Sequence, residues 1–297
     1  MTHRSRIIIL TALLFLVTGV AAQTENVTLP PLTDPPSDIA IPGKFVWADL
    51  FSADVTTARD FYGQLFGWQW QSVDGDVYSI AVSDGRPVAG LVSRPQRSGE
   101  TTRGRWIYYA SVPDVTATAA AVEAAGGHTL IGPQTKAERG DYAIFADPHG
   151  ALFGVMHSSS GDPQDYREPH GRWIWLQLLT AEVEAAAEFY SRLLGYEIYD
   201  YEDDTDRVSD RILASDGYAR AAITRLSGKS DFRAAWTAFI RVADIDQSVA
   251  QARALGGEIV LPPAAERLDG KVAIIKDPLG AALGLLEWQY PQDSEEE

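Results

Sequence analysis

The run from Phe45 to Phe51 is apolar but for Asp49 and rich in aromatic and β-favouring residues, with side chains that would alternate between two faces, which predicts a strand. The period then changes. Ala58, Phe61, Tyr62, Leu65 and Phe66 follow the i, i+3, i+4, i+7, i+8 spacing of one buried helical stripe, with Asp54 placed to cap it and Gly67 to stop it in a left-handed turn. Short strands are expected at Trp68 to Trp70, Val77 to Val82 and Val88 to Val92, separated by the turn pairs Asp74-Gly75 and Asp84-Gly85. A weaker version of the same unit follows: a strand from Trp106 to Val112, a helix capped by Asp114 and stopped at Gly126-Gly127, then strands near His128 to Ile131, Tyr142 to Ala146 and Leu152 to His157.

The whole pattern then returns about 128 residues on. Trp47-Ala48-Asp49-Leu50 becomes Trp175-Leu176-Gln177-Leu178, and Phe61-Tyr62-Gly63-Gln64-Leu65-Phe66-Gly67-Trp68 becomes Phe189-Tyr190-Ser191-Arg192-Leu193-Leu194-Gly195-Tyr196. Trp236 to Val242, Asp244, Gly256-Gly257 and Val272 to Ile275 complete the second copy, so the chain holds four strand-helix-three-strand units. The copies span residues 44–157 and 172–288, joined by a linker at 158–171 that contains Gly161, Pro163 and Pro169.

The ends read differently. Arg4 and Arg6, an apolar run from Ile7 to Val17 and the small residues Gly19-Val20-Ala21-Ala22 have the layout of a cleaved secretory signal over residues 1–22, too short to span a bilayer. Residues 23–43 carry five prolines in a polar context and read as an extended tether outside the fold. Residues 289–297 form an acidic solvated tail. Export predicts a periplasmic or secreted protein, and without cysteine its domains must stand on their hydrophobic cores alone. The formal charge of −16 becomes −18 once Arg4 and Arg6 leave with the signal, a surface that repels phosphate backbones and anionic headgroups. Nucleic acid is not an expected partner, nor is a membrane after cleavage.

The Trp-x-Asp/Gln-Leu strands, the helices ending Phe-Tyr-x-x-Leu-x-Gly-Trp/Tyr, the Gly-Gly stops and the Asp147-Pro148-His149-Gly150 and Asp277-Pro278-Leu279-Gly280 turns resemble the vicinal-oxygen-chelate (VOC) superfamily. That superfamily holds glyoxalase I, extradiol dioxygenases and bleomycin resistance proteins, and the resemblance is to its two-domain, glyoxalase-like branch. It implies an α+β fold: tandem glyoxalase-like domains, four βαβββ units, cup-shaped mixed sheets and helices outside. It also implies that the halves pack on each other, giving a monomer with two pseudo-symmetric halves, or a homodimer.

Catalytic members hold a divalent metal between strands facing the cup. By position those ligands fall on Trp47, Ile107 and Gly154 in the first copy and on Trp175, Thr237 and Gly284 in the second, and none of these is an imidazole, carboxylate or thiolate donor. No metal ligand set is therefore assigned and no cofactor is expected; a divalent metal remains only as a displaced set of Asp49, His149 and His157. The acidic run Asp200, Glu202, Asp203, Asp204, Asp206 lacks the glycine and closing glutamate of a calcium loop.

What the alternation does place in the cups is aromatic and selectively polar: Trp47, Asp49 and Tyr109 in the first, Trp175, Gln177 and Arg241 in the second. These are the candidate ligand-binding residues, with Asp49, Gln177 and Arg241 fixing polar groups. The reading that follows is an exported binder of a small-molecule ligand. Two others stand beside it: a metal-dependent lyase, isomerase or dioxygenase with rearranged ligands, and an interaction scaffold whose cups are filled by their own side chains.

Overall fold

The computed structural model describes residues 28–94, 103–201, 210–226 and 233–290. The expected signal, the acidic run at 202–206 and the end of the acidic tail lie outside the described residues. The first half runs β1 (Phe45–Ser52), α1 (Val55–Phe66), β2 (Gln69–Asp74), β3 (Tyr78–Ser83), β4 (Arg86–Ser93), β5 (Arg105–Ser111), α2 (Val115–Ala124), β6 (His128–Lys136), β7 (Gly140–Ala146) and β8 (Leu152–Ser158). The second repeats it as β9 (Trp173–Thr180), α3 (Val183–Leu194), β10 (Glu197–Tyr201), β11 (Asp210–Ser215), β12 (Tyr218–Arg225), β13 (Ala235–Val242), α4 (Ile245–Ala254), β14 (Glu258–Leu261), β15 (Val272–Lys276) and β16 (Ala282–Glu287).

Each half is one eight-stranded mixed sheet, in the order β2-β3-β4-β1-β5-β8-β7-β6 and β10-β11-β12-β9-β13-β16-β15-β14. This is the duplicated βαβββ architecture expected from the repeat. Local chemistry sets the helix ends: the Asp54, Asp114 and Asp244 carboxylates accept from the amides of Thr57, Ala117 and Gln247, and Gly67 and Gly195 close α1 and α3 with left-handed φ of 72° and 73°.

The helices cover the outer faces of the cups, and across the junction α1 meets α4 and α2 meets α3. One apolar cluster runs through both halves, including Leu50, Phe61, Tyr62, Trp106, Leu178, Tyr190 and Ile240. Each such fully buried large side chain contributes about 1.5–3 kcal/mol, which is how a chain without disulfides holds together. The repeated Phe-Tyr motif adds a reciprocal latch. Tyr62 Oη donates to Asp277 Oδ2 at 3.0 Å while accepting from Trp106 Nε1 at 3.0 Å; Tyr190 Oη donates to Asp147 Oδ2 at 3.1 Å while accepting from Trp236 Nε1 at 2.9 Å. The other oxygen of each aspartate accepts two amides of its own Asp-Pro-x-Gly turn. The turns thus brace the halves against each other as well as reversing the chain.

Two expectations change here. From residue 28 on, the proline-rich stretch packs on the fold rather than hanging free of it: Leu32 is buried, Leu29 packs against the inside of the first cup, and Thr33, Ser37 and Ile41 hydrogen-bond to Ser160 and Asp162 of the linker. Its composition suits an extended chain, and two leucines at the rim of an apolar cup are enough to seat it. Arg241, expected to face a ligand, instead donates from Nε to the Trp288 carbonyl at 2.8 Å and from Nη1 to the Glu168 carbonyl at 2.9 Å, with its guanidinium 4.6 Å from the Tyr290 ring centre. It ties the linker and the C-terminal segment to the second sheet.

Candidate functional site

In the first cup the strand period of two turns Trp47 and Asp49 of β1, Tyr78 and Ile80 of β3, Ile107 and Tyr109 of β5, and Ile144 and Met156 of β7 and β8 to the concave face. Asp49 is 8 % exposed and the most heavily bonded polar group there. Its Oδ1 accepts from Trp47 Nε1 at 2.8 Å and from Tyr78 Oη at 2.8 Å, and Tyr109 lines the same cavity. Gly90 makes this arrangement fit. It pairs with Asp49 across the parallel β1–β4 ladder, and a Cβ there would stand 2.0 Å from Asp49 Oδ1 and 2.1 Å from Tyr78 Oη.

Burial raises the Asp49 pKa above the ordinary carboxylate range, against the pull of the Tyr78 and Trp47 hydrogen bonds and the Arg139 charge. Burial and the neighbouring Asp49 charge push the Tyr78 and Tyr109 hydroxyls well above their usual range, so both remain proton donors at neutral pH.

Arg139 comes from outside the strand pattern. It closes the turn between β6 and β7, its amide bonded to the Lys136 carbonyl at 3.0 Å, and Gly140 follows with φ of 107°, where a Cβ would meet the His157 carbonyl oxygen at 2.0 Å. That tight return folds the arginine inward. It is 1 % exposed, with its guanidinium carbon 4.3 Å from the centre of the Trp47 ring. Lys136, at the end of β6, also lines the cup. Leu29, from the segment ahead of β1, reaches the same space, and the partly open cavity amounts to about 40 Å³. At roughly 10–15 Å³ per water, that is room for about three waters or a group of a few heavy atoms.

The positions where a metal would be held do not fit one. Trp47 is a wall, Ile107 offers no donor, and the space over Gly154 is filled by the Tyr109 ring, which lies 2.3 Å from where a Cβ would be; Phe239 fills the space over Gly284 in the same way, at 2.2 Å. Neither glycine opens room for a ligand. The displaced set is not assembled either: His157 points away from the cup with Nδ1 3.1 Å from the Val112 carbonyl, His149 sits in its turn, and among the described residues no three His, Cys, Asp or Glu side chains come together as a metal site.

The second cup is built differently. Gln177 Nε2 donates to Thr224 Oγ1, and Trp175, half-buried where Trp47 is 5 % exposed, lines a crevice of about 170 Å³ beside the linker. The charged groups of that crevice already pair among themselves: Lys44 Nζ and Arg220 Nη1 both meet Asp165 Oδ1, at 2.7 and 2.9 Å. The first cup therefore gathers Trp47, Asp49 and Tyr109, while Trp175, Gln177 and Arg241 do not converge on one space. Sequence reasoning passed over Tyr78, Arg139, Lys136 and Leu29. The one signal for Arg139 was the glycine immediately after it in a charged turn.

A tandem pair of βαβββ cups braced through their outer faces defines the class. The chain belongs to the Glyoxalase/Bleomycin resistance protein/Dioxygenase superfamily, whose family model matches residues 44–155 and 172–285. It is 31 % identical over 266 residues to the anthracycline biosynthesis protein DnrV of Streptomyces peucetius, covering 84 % of this chain and 96 % of that one. It is 28 % identical over 246 residues to the putative glyoxylase CFP32 of Mycobacterium tuberculosis, covering 81 % and 93 %. Among solved structures, the Mn(II)-bound glyoxalase of Novosphingobium aromaticivorans aligns with a TM-score of 0.56 at 16 % identity, covering 84 % of this chain and 83 % of that one. An extradiol ring-cleaving dioxygenase from B. fuscum aligns with a TM-score of 0.57 at 16 % identity, covering 88 % and 76 %. At that identity the likeness is one of fold.

Proposed function

We propose that this protein is an exported binder of a compact small molecule, held in the first cup without the metal ligands used by catalytic relatives. The observation that carries the reading is the cavity lined by Trp47, Tyr78, Tyr109 and Tyr142 together with a buried carboxylate, Asp49. Aromatic walls with a few placed polar groups are the usual make-up of a ligand pocket. The scaffold reading requires a filled cup, and the first cup keeps a cavity. Its size selects against drug-sized ligands, whose pockets run to roughly 300–1,000 Å³.

The metal-dependent reading stays testable because the solved structures that share the fold include a Mn(II)-bound glyoxalase. Native mass spectrometry of the protein recovered from its own compartment separates the readings. A chain beginning at Gln23 that carries one organic molecule supports export and binding, whereas a stoichiometric transition metal lost on Asp49→Asn overturns the binder reading. Trp47→Phe, which removes the Nε1 donor but keeps an aromatic wall, is expected to weaken retention of that molecule, and Trp175→Phe to leave it unchanged. Equal retention in the Trp47→Phe protein refutes the first cup as the site.

A further inference from the structure

Resting on that reading of the first cup, we infer that its ligand is an organic carboxylate whose anionic end is seated against Arg139. The guanidinium is almost fully buried, yet Nε and Nη1 have no hydrogen-bond partner. Asp49 lines the same cavity and its charge acts on Arg139, but no hydrogen bond joins Nε or Nη1 to it. Asp49 Oδ1 is already committed to Trp47 and Tyr78.

Buried N–H groups without an acceptor are costly, and buried polar groups in native proteins are nearly always hydrogen-bonded. The face of Trp47 offsets part of that cost by attracting the cation, but a ring face accepts none of the in-plane N–H groups. Those groups are what an oxyanion supplies. Guanidinium and carboxylate match in planarity and in donor and acceptor number, and the pairing strengthens where water is excluded.

Cavity size narrows the class. About 40 Å³ admits a carboxylate and little else, so we place the rest of the ligand towards Leu29, the apolar residue that lines the cavity from the segment ahead of β1. Phe51, Val92, Ile131 and Met156 add apolar side chains to the same lining, beside Lys136 and Tyr142. A small acid with an aromatic or short alkyl body satisfies both ends: the charge goes to Arg139 and the body displaces or packs on Leu29.

The test uses benzoate and its uncharged isostere benzamide as probes, titrated calorimetrically into the full mature chain. Benzoate is expected to bind at least tenfold more tightly than benzamide. Arg139→Gln is expected to lose at least tenfold in benzoate affinity, with Arg139→Lys intermediate because it keeps the charge but not the planar fork. The isostere comparison is made on the unaltered protein, so it stands even where Arg139→Gln fails to fold. Equal binding of benzamide and benzoate overturns the carboxylate assignment and leaves the first cup as a binding site. Binding of neither probe, in the natural chain or in Leu29→Ala where that lining side chain is cut back, overturns the assignment together with the reading it rests on. Unchanged benzoate affinity in a folded Arg139→Gln protein places the anion elsewhere and overturns the proposal.

Discussion

Gly90→Ala tests whether the Asp49 cluster is as tightly built as its distances imply. The added methyl would sit 2.0 Å from Asp49 Oδ1, 2.1 Å from Tyr78 Oη and 2.6 Å from Tyr78 Cζ, whereas real Cβ contacts essentially never fall below 3.0 Å. Side chain or backbone must therefore move by about 1 Å, and neither partner is a loose surface group: Asp49 is 8 % exposed and Tyr78 2 %. Overpacking of this kind costs about 1–3 kcal/mol. Moving the carboxylate also strips the acceptor from Trp47 Nε1 and Tyr78 Oη, and each buried donor left unpaired costs roughly 1–3 kcal/mol more. Against this, alanine is better than glycine within a strand by about 0.5–1 kcal/mol. The expected net loss is about 3–5 kcal/mol, measured by equilibrium urea denaturation. Gly132→Ala is the matched control: nothing lies within 4 Å of its Cβ position, so its stability should stay within about 1 kcal/mol of the natural chain. Tyr78→Phe combined with Gly90→Ala should be less destabilised than the sum of the two by at least about 0.5 kcal/mol, because the hydroxyl is one of the atoms struck. A Gly90→Ala protein within about 0.5 kcal/mol of wild type, or strict additivity with Tyr78→Phe, refutes the reasoning.

Tyr62→Phe removes the donor to Asp277 and the acceptor for Trp106 Nε1 in a fully buried setting, so a loss of about 2–4 kcal/mol in denaturant unfolding is expected, with Tyr190→Phe losing a similar amount; a change under about 0.5 kcal/mol in both shows that the latches do not hold the halves. Asp49 has a folded-state pKa raised by burial, so it contributes stability that is present below its unfolded pKa and lost as pH rises through the folded value. From the ordinary aspartate range upward, the stability of the natural chain relative to Asp49→Asn should therefore fall with rising pH; parallel urea-denaturation profiles for the two proteins would contradict it.

The parts of the fold that were legible in the sequence are those fixed by local burial. A strand facing a core on each side reads as a near-continuous apolar run, and the helix stripe ending Phe-Tyr-x-x-Leu-x-Gly repeats because both copies bury the same face and stop at the same left-handed glycine. The same period of two put Trp47, Asp49 and Tyr109 on one face. Arg139 was not legible because a charged residue in a turn is ordinarily solvated; only the return of β7 over the cup, through Gly140, turns it inward. Leu29 and Leu32 were hidden by their prolines, since composition reports stiffness and polarity but not which surface waits at the end of the chain. Arg241 lay on the expected strand, but its partners, the carbonyls of Glu168 and Trp288, belong to segments with no periodic signal.

The duplication explains the architecture without making the two cups equal. Gly90 stands opposite Asp49 in the first sheet, and at the matching register of the second Ala222 stands opposite Gln177. A methyl at that place is what the geometry of the first cup forbids, so a buried acid bonded to a neighbouring tyrosine can form only where the glycine is. The second sheet accordingly carries a neutral amide satisfied by Thr224, and its arginine serves the linker rather than an interior. Both copies keep the helix stops, the Asp-Pro-x-Gly turns and the tyrosine latches, because each half needs them to hold the other. Among the described residues, a cavity lined by a buried acid and by a guanidinium with two nitrogens lacking hydrogen-bond partners is found in one copy, so ligand stoichiometry should be one per chain although the fold offers two cups.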